Sequence, residues 1–439
     1  MENRITTLSP YKLESECSFM PASGRPVFSL IGKKANGSPS FLPVDEDLLS
    51  RHMLLLGGIG TGKTNVFDLL IRNIRNILTE DDIMIIFDTK GDYYRDFYRP
   101  GDIVISNDDK AVGPDGKPDY WNIFREVTVD DRVEENITEV ASMLFSEKVK
   151  KSSQPFFPNA AKDLLSALML DLIRSTPADA PNRTNYALRR YLDSFSVPAM
   201  KQILARHPDL KAMTAYIDDP KSGQTLGVVA ELQQLVREVF IGNFSRKGNL
   251  SIRELVKNKG GRLVFIEYDL GIGSTLSPIY RLIIDLAIKQ TLSRQSAGQG
   301  NVYFILDEFK LLPNLQHIED GINFGRSLGA RFFAGVQNVE QVHAAYGKDT
   351  ADSILSGFCT NISFRVTDRE SREFIKGLYG STNKIQTYLS AVQSRGITEQ
   401  YLTESVVTDE DILSLKRGSA IVGLPDTPPF LFRFGKYEA

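Results

Sequence analysis

Short apolar runs bounded by turn residues alternate along this chain with stretches whose apolar positions recur at helical spacing. Leu54-Leu55-Leu56, Ile83-Met84-Ile85-Ile86-Phe87, Ile103-Val104-Ile105, Leu263-Val264-Phe265-Ile266 and Val302-Tyr303-Phe304-Ile305-Leu306 lack the polar alternation of a half-exposed strand. Together with Arg331 to Val336 they predict strands covered on both faces, as in a parallel sheet. Val27 to Ile31 predicts a strand at a sheet edge, and Asn361 to Val366 with Gly418 to Leu424 predict closing strands. Val66, Phe67, Leu70, Ile71, Ile74 and Leu78 share one helical face, and a second amphipathic helix is expected at about 277–294.

From about residue 129 to 258 the strand signal stops. Helices are expected at 131–146, 156–174, 184–194, 197–205 and 222–240, separated by breaks such as Ser175-Thr176-Pro177-Ala178-Asp179. The pattern therefore predicts an α/β protein with a mainly parallel sheet, built from residues 1–128 and 259–439, with an inserted all-helical domain at 129–258. Turns are expected at Ala22-Ser23-Gly24 and Asn36-Gly37-Ser38-Pro39, a flexible joint at Ser296-Ala297-Gly298-Gln299-Gly300, and a polar, mobile connection at 380–408. The aromatic cluster Tyr120-Trp121-Asn122-Ile123-Phe124 holds the single Trp, for which packing is expected before ligand contact.

The richest local signal follows the first apolar run. Gly57-Gly58-Ile59-Gly60-Thr61-Gly62-Lys63-Thr64 fits G-x-x-x-x-G-K-[ST] in full. Four of the six residues from Gly57 to Gly62 are glycine, which lets successive backbone N–H groups curl around an anion. Lys63 is expected to reach the β- and γ-phosphates of ATP, the Thr64 hydroxyl to ligate Mg²⁺, and the N-terminus of the next helix to point at the phosphates. Gly57, Gly58, Gly60, Thr61, Gly62, Lys63 and Thr64 are the candidate nucleotide-binding residues.

A second half of such a site lies far along the chain. The run ending at Leu306 meets Asp307-Glu308, and beside a phosphate loop the first acid is expected to orient Mg²⁺ and the second to act as general base on the attacking water. Gln337 ends a later strand, where its amide is suited to the γ-phosphate or that water; a plain strand end is the alternative. Arg326 or Arg331 is suited to an arginine finger acting across a subunit interface, and an ordinary surface role stands beside both. Asp88 and Lys90 follow a strand at the end where ligands of open α/β sheets collect, or form a simple polar turn.

Composition changes this picture little. The 439 residues allow a large α/β domain and a second unit, and 42% hydrophobic with 24% charged residues is ordinary for a globular chain. A net charge of −3 exerts no global pull on nucleic acid, so a DNA-binding surface has to be local. Lys148, Lys150, Lys151, Arg189, Arg190, Arg246 and Lys247 form candidate basic patches, or a solvated face. Cys17 and Cys359 give neither a disulfide framework nor a zinc site. No run approaches the ~18 to 20 apolar residues of a membrane span, and Met1-Glu2-Asn3-Arg4 lacks a signal-peptide layout, so a cytoplasmic protein is expected.

Taken together, several segments resemble the type IV secretion coupling proteins, conjugative DNA-transfer ATPases of the TraD/TraG type within the HerA/FtsK group of motors. They are Arg51-His52-Met53 leading into the phosphate loop, Phe87-Asp88-Thr89-Lys90-Gly91-Asp92, Tyr120-Trp121-Asn122-Ile123-Phe124 and Phe157-Pro158-Asn159-Ala160-Ala161-Lys162-Asp163. Leu306-Asp307-Glu308-Phe309 and Gly325-Arg326-Ser327-Leu328-Gly329 through Val336-Gln337 complete the set, which spans about residues 25–435.

The resemblance implies a RecA-like P-loop NTPase core, an all-helical domain and a homo-hexamer when active. It further implies ATP-driven delivery of DNA or a relaxase–DNA complex to a type IV secretion channel. Arg326 resembles the family's arginine finger and Gln337 its sensor, while the family's Asn-Pro pair is Asn122-Ile123 here. Coupling proteins usually carry N-terminal transmembrane helices, and this sequence shows none, so membrane contact is expected only through partners at the periphery of the inner membrane. Two rival expectations are a soluble HerA-like DNA translocase in DNA processing or defence, and a nucleotide-gated scaffold that recruits cargo.

Overall fold

Met53–Leu56 is apolar and buried at every position, so a strand there needs cover on both faces. The computed structural model supplies that cover, and describes residues 4–7, 11–21, 24–34, 36–177, 180, 182–194, 196–294, 297–389 and 397–438. In chain order the strands are β1 (Arg4–Thr7), β2 (Phe28–Lys33), β3 (Pro39–Val44), β4 (Met53–Leu56), β5 (Ile83–Asp88), β6 (Ile103–Ile105) and β7 (Arg262–Glu267). They continue as β8 (Val302–Leu306), β9 (Ala330–Val336), β10 (Thr360–Ser363), β11 (Ser381–Leu389), β12 (Ile397–Ser405), β13 (Ser419–Gly423) and β14 (Phe430–Arg433).

The chain falls into two compact units. The first comprises Met1–Ile77, Tyr303–Asn314 and Ile322–Ala439, the second Leu78–Val302 and Leu315–Gly321. In the first unit the strands lie in the order β14-β13-β10-β4-β9-β8. β4 runs parallel to β9, with Leu56 opposite Val336, and parallel to β10, with Leu56 opposite Ser363. The carboxyl ends of these strands therefore share one edge, and β13 and β14 extend the sheet in antiparallel fashion. Helix Lys63–Ile77 buries Val66, Phe67, Leu70, Ile71 and Ile74, the face that the periodicity marks. Phe304 and Phe332 stack at 4.7 Å between ring centres. β2 and β3 form a two-stranded pair, as the edge-strand reading of Val27 to Ile31 requires, and β1, β11 and β12 form a separate three-stranded sheet.

In the second unit β5, β7 and β6 are parallel, with all six residues of β5 buried. Helices Val133–Lys151, Phe156–Ser175, Asn185–Ser194, Val197–Ala205 and Gly223–Val239 stand where helical spacing put them, and no strand lies between β6 and β7 among the described residues. Trp121 is 1% exposed and donates its indole N–H to Glu126 at 2.7 Å. The Glu126 carboxylate also accepts from Ser251 Oγ, Ile252 N and Arg253 N, so it caps helix Ile252–Asn258, and burial pushes its carboxyl up to about 7. The cluster around Trp121 is thus a packing centre, as its composition implied.

Two expectations change. The long helix spans Gly273–Leu292 with Pro278 inside it, because burying Leu276 and Ile279 outweighs the one backbone donor that the proline lacks. Within 380–408 the chain forms two paired strands, β11 and β12, with Ser381 opposite Ser405 and Leu389 opposite Ile397. Their Thr, Ile and Tyr content favours extended chain even though both are polar overall. Residues 390–396 of that segment, Ala22 and Ser23 of the first expected turn, Ala178 and Asp179 of the helix break, and Ser296 of the flexible joint lie outside the described residues. Among the described residues no helix is long and apolar enough to cross a membrane.

Candidate nucleotide-binding and catalytic site

The loop Gly57–Gly62 leaves the carboxyl end of β4 and turns into helix Lys63–Ile77. Two backbone bonds fix its start: Gly57 N donates to Val336 O and Gly58 N to Arg365 O, both at 3.0 Å. Thr61 Oγ1 donates to Gly58 O at 2.8 Å and closes the curl. Gly62 has φ +125°, a conformation that side chains disfavour, directly before the helix N-terminus. Lys63 is buried, and its ammonium donates to Gly57 O at 2.5 Å and Gly58 O at 3.3 Å. It thus lies folded over the loop that an anion would occupy.

Asp307 and Glu308 follow β8 on the same unit. The Thr64 hydroxyl donates to Asp307 Oδ2 at 3.4 Å, which brings together two oxygens of the kind a hard divalent cation takes. The neighbouring strand makes this approach possible at Gly335, where any Cβ would meet the Asp307 carbonyl oxygen at 2.2 Å. Gln337 Nε2 donates to both carboxylate oxygens of Glu308, at 3.1 and 3.0 Å. The Glu308 side chain is 16% exposed, shielded yet open to a water. The structure therefore gathers Lys63, Thr64, Asp307, Glu308 and Gln337 at one edge, and Gln337 reaches the acid rather than ending in solvent.

Arg326 is not among them. It sits on the turn Gly325–Leu328 that precedes β9, and β9 is parallel to β4, so Arg326 lies at the opposite edge from its own phosphate loop. Arg331 is buried and donates to the carbonyls of Arg326 and Ala330, which makes it a brace for that turn rather than a projecting finger. In the second unit, Asp88 accepts from the backbone N–H groups of Lys90, Gly91 and Tyr94, the polar-turn reading of that residue. Burial raises its carboxyl, and the three N–H donors oppose the rise.

Sequence reasoning missed the wall of the site that faces the loop. A cavity of about 620 Å³ is lined by Gly60, Gly62, Lys63 and Thr64 on one side and by Arg417, Gly418, Arg433 and Lys436 on the other. Gly418 N donates to Thr61 O at 2.8 Å, and Phe434 N to Gly418 O at 2.8 Å, so the last strands are tied to the loop. Asn65 Nδ2 donates to Gly435 O at 2.8 Å and Asn65 Oδ1 accepts from Tyr437 N at 2.7 Å. Volume, cations and glycine backbone together fit a nucleoside triphosphate.

The family model for the type IV secretion-system coupling protein DNA-binding domain matches residues 38–432. The chain belongs to this family. A probable conjugal transfer protein TraG of Sinorhizobium fredii (strain NBRC 101917 / NGR234) is 24% identical over 318 residues, covering 66% of this chain and 47% of that protein. The type IV secretion system-coupling protein VirD4 of Bartonella henselae is 22% identical over 313 residues, covering 68% and 49%. The chain thus spans about half the length of the curated coupling proteins it matches. Among solved structures, the plasmid coupling protein TrwB in complex with ADP and Mg²⁺ superposes with a TM-score of 0.73 at 18% identity, covering 100% of this chain and 96% of that one. The coupling-protein fold, a RecA-like α/β core with helical parts, is therefore the fold of this chain.

Proposed function

We propose that this chain is an ATP-hydrolysing DNA translocase that works as a coupling protein, delivering DNA or a relaxase–DNA complex to a type IV secretion channel. The observation that carries the reading is the phosphate loop of β4 assembled with Thr64–Asp307 and with the Glu308–Gln337 pair. Family membership and the ADP and Mg²⁺ of the similar TrwB structure support ATP and Mg²⁺ as its ligands. Lys63 moves from the Gly57 and Gly58 carbonyls to the β- and γ-phosphates, and the loop N–H groups hold the β-phosphate. Thr64 and Asp307 would hold Mg²⁺, which would supply charge neutralisation on the phosphates. Glu308 takes the proton of the attacking water, while Gln337 holds the carboxylate in place and senses the γ-phosphate.

Arg326 acts on a neighbouring subunit. β9 alone spans about 23 Å at ~3.3 Å per residue, so the arginine cannot serve the loop at the other end of its own sheet. A homo-hexamer with nucleotide between neighbours satisfies this geometry. The helical insert at 129–258 would meet DNA or its attached protein. There, Tyr186 lies under Arg190 and Lys247, Arg246 lies over Tyr120 of the segment before the insert, and a cavity of about 570 Å³ is lined by Arg190, Arg206 and Lys247. The motor works on the cytoplasmic side of the inner membrane, beside its channel partners.

Steady-state ATP hydrolysis tests the site. Lys63→Ala and Glu308→Gln are each expected to lower kcat by at least about 100-fold. Near-normal rates in both variants overturn the assignment.

A further inference from the structure

The proposed trans-acting Arg326 is held, in its own subunit, by groups that no motif marks. Its Nη2 donates to Asp47 Oδ1 at 2.7 Å and its Nε to Ser50 Oγ at 3.1 Å. Asp47 and Ser50 both sit on helix Glu46–Ser50, whose first turn is capped by Asp45 through a 2.8 Å bond to Leu48 N. The other Asp47 oxygen accepts from Arg51 Nε at 2.7 Å, so the carboxylate is fixed on both sides. Of the five N–H donors that an arginine carries, these bonds use Nε–H and one on Nη2, and among the described residues the rest of the fork stays available to an anion. The turn itself is presented outward: Phe324 is 65% exposed, and the Arg326 side chain is 49% exposed.

We propose that Asp47, with Ser50, is the positioning pair that holds Arg326 ready for the phosphates bound by the neighbouring subunit. In this role Asp47 acts only through the arginine. A half-exposed pair of this kind adds little to folding stability, so its place in the structure is better explained by the geometry it imposes on the arginine. The residue that presents the finger is also chained to the subunit's own site. Helix Glu46–Ser50 leads through Arg51 and His52 straight into β4 and its phosphate loop.

The proposal rests on Arg326 acting in trans, and a double-mutant cycle separates the two. On the full chain, assembled and saturated with ATP and Mg²⁺, Arg326→Ala is expected to lower kcat by ~10³-fold or more. Asp47→Asn is expected to lower kcat on the order of 10-fold while the KM for ATP changes less than about twofold. Ser50→Ala should act in the same direction more weakly. The double variant Asp47→Asn/Arg326→Ala should be no slower than Arg326→Ala alone, because the positioning pair then has nothing to position. If Arg326→Ala is slow but Asp47→Asn runs at the normal kcat, or the two losses multiply, the positioning role fails and the finger reading stands. If Arg326→Ala itself keeps normal kcat, the finger reading fails and the positioning role falls with it.

Discussion

His52, the residue just before β4, shows how single side chains lock the first unit. It is 2% exposed with φ +54°, its Nδ1 accepts from Phe332 N at 3.1 Å, and its Nε2 therefore carries the proton that bonds Ile322 O at 3.0 Å. Burial, aided by the Arg331 and Arg326 charges, lowers its pKa to about 4. The folded value lies below the unfolded one, so the unfolded chain binds more protons below pH ~6.5 and stability falls as pH drops from there towards 4. The loss amounts to about 3 kcal/mol. Glu126 has the opposite sign: its folded pKa of about 7 lies above the unfolded value, so its share of stability is lost as pH rises through 7. Comparing wild type with His52→Asn isolates the histidine. Urea unfolding at pH 7 and pH 4.5 should show a steeper acid loss in the wild type, and equal losses would contradict the neutral, bonded imidazole.

At the scale of elements, the edge that gathers the candidate site was legible because each part is a contiguous run: an apolar strand followed by a glycine loop, by Asp307-Glu308 or by Gln337. The five helices from Val133–Lys151 to Gly223–Val239 were legible from spacing alone, whereas the short helices Ile123–Val127 and Ile252–Asn258 were not. β11 and β12 were not, since their polar residues hide the extended preference of Thr, Ile and Tyr. Nor were Arg417, Arg433 and Lys436, because cations around short closing strands carry no local pattern, and only the tie of Gly418 to Thr61 shows what they face. Asp47 lies 279 residues from Arg326, beyond the reach of any motif. The C-terminal clasp makes its own prediction. Asn65→Ala removes both side-chain bonds to the segment after β14 and should raise the KM for ATP on the order of 5-fold with kcat nearly unchanged. An unchanged KM would mean that this wall does not shape the nucleotide cavity.

For the whole molecule, one chain carries a complete phosphate loop and acid pair at one edge of its first unit and an outward-facing arginine at the other. If Arg326 acts in trans as proposed, hydrolysis is a property of neighbours, and its rate per subunit depends on assembly. Net charge −3 leaves any DNA attraction to local patches such as Arg190, Arg246 and Lys247, and the proposed function makes DNA an activating ligand of the assembled form. The most direct measurement is the steady-state ATPase rate across protein concentrations, without DNA and with single- or double-stranded DNA, using Glu308→Gln as the blank. An assembling DNA motor gives stimulation by DNA and a rate per subunit that climbs steeply with concentration. A rate indifferent to DNA and strictly linear in protein would contradict it.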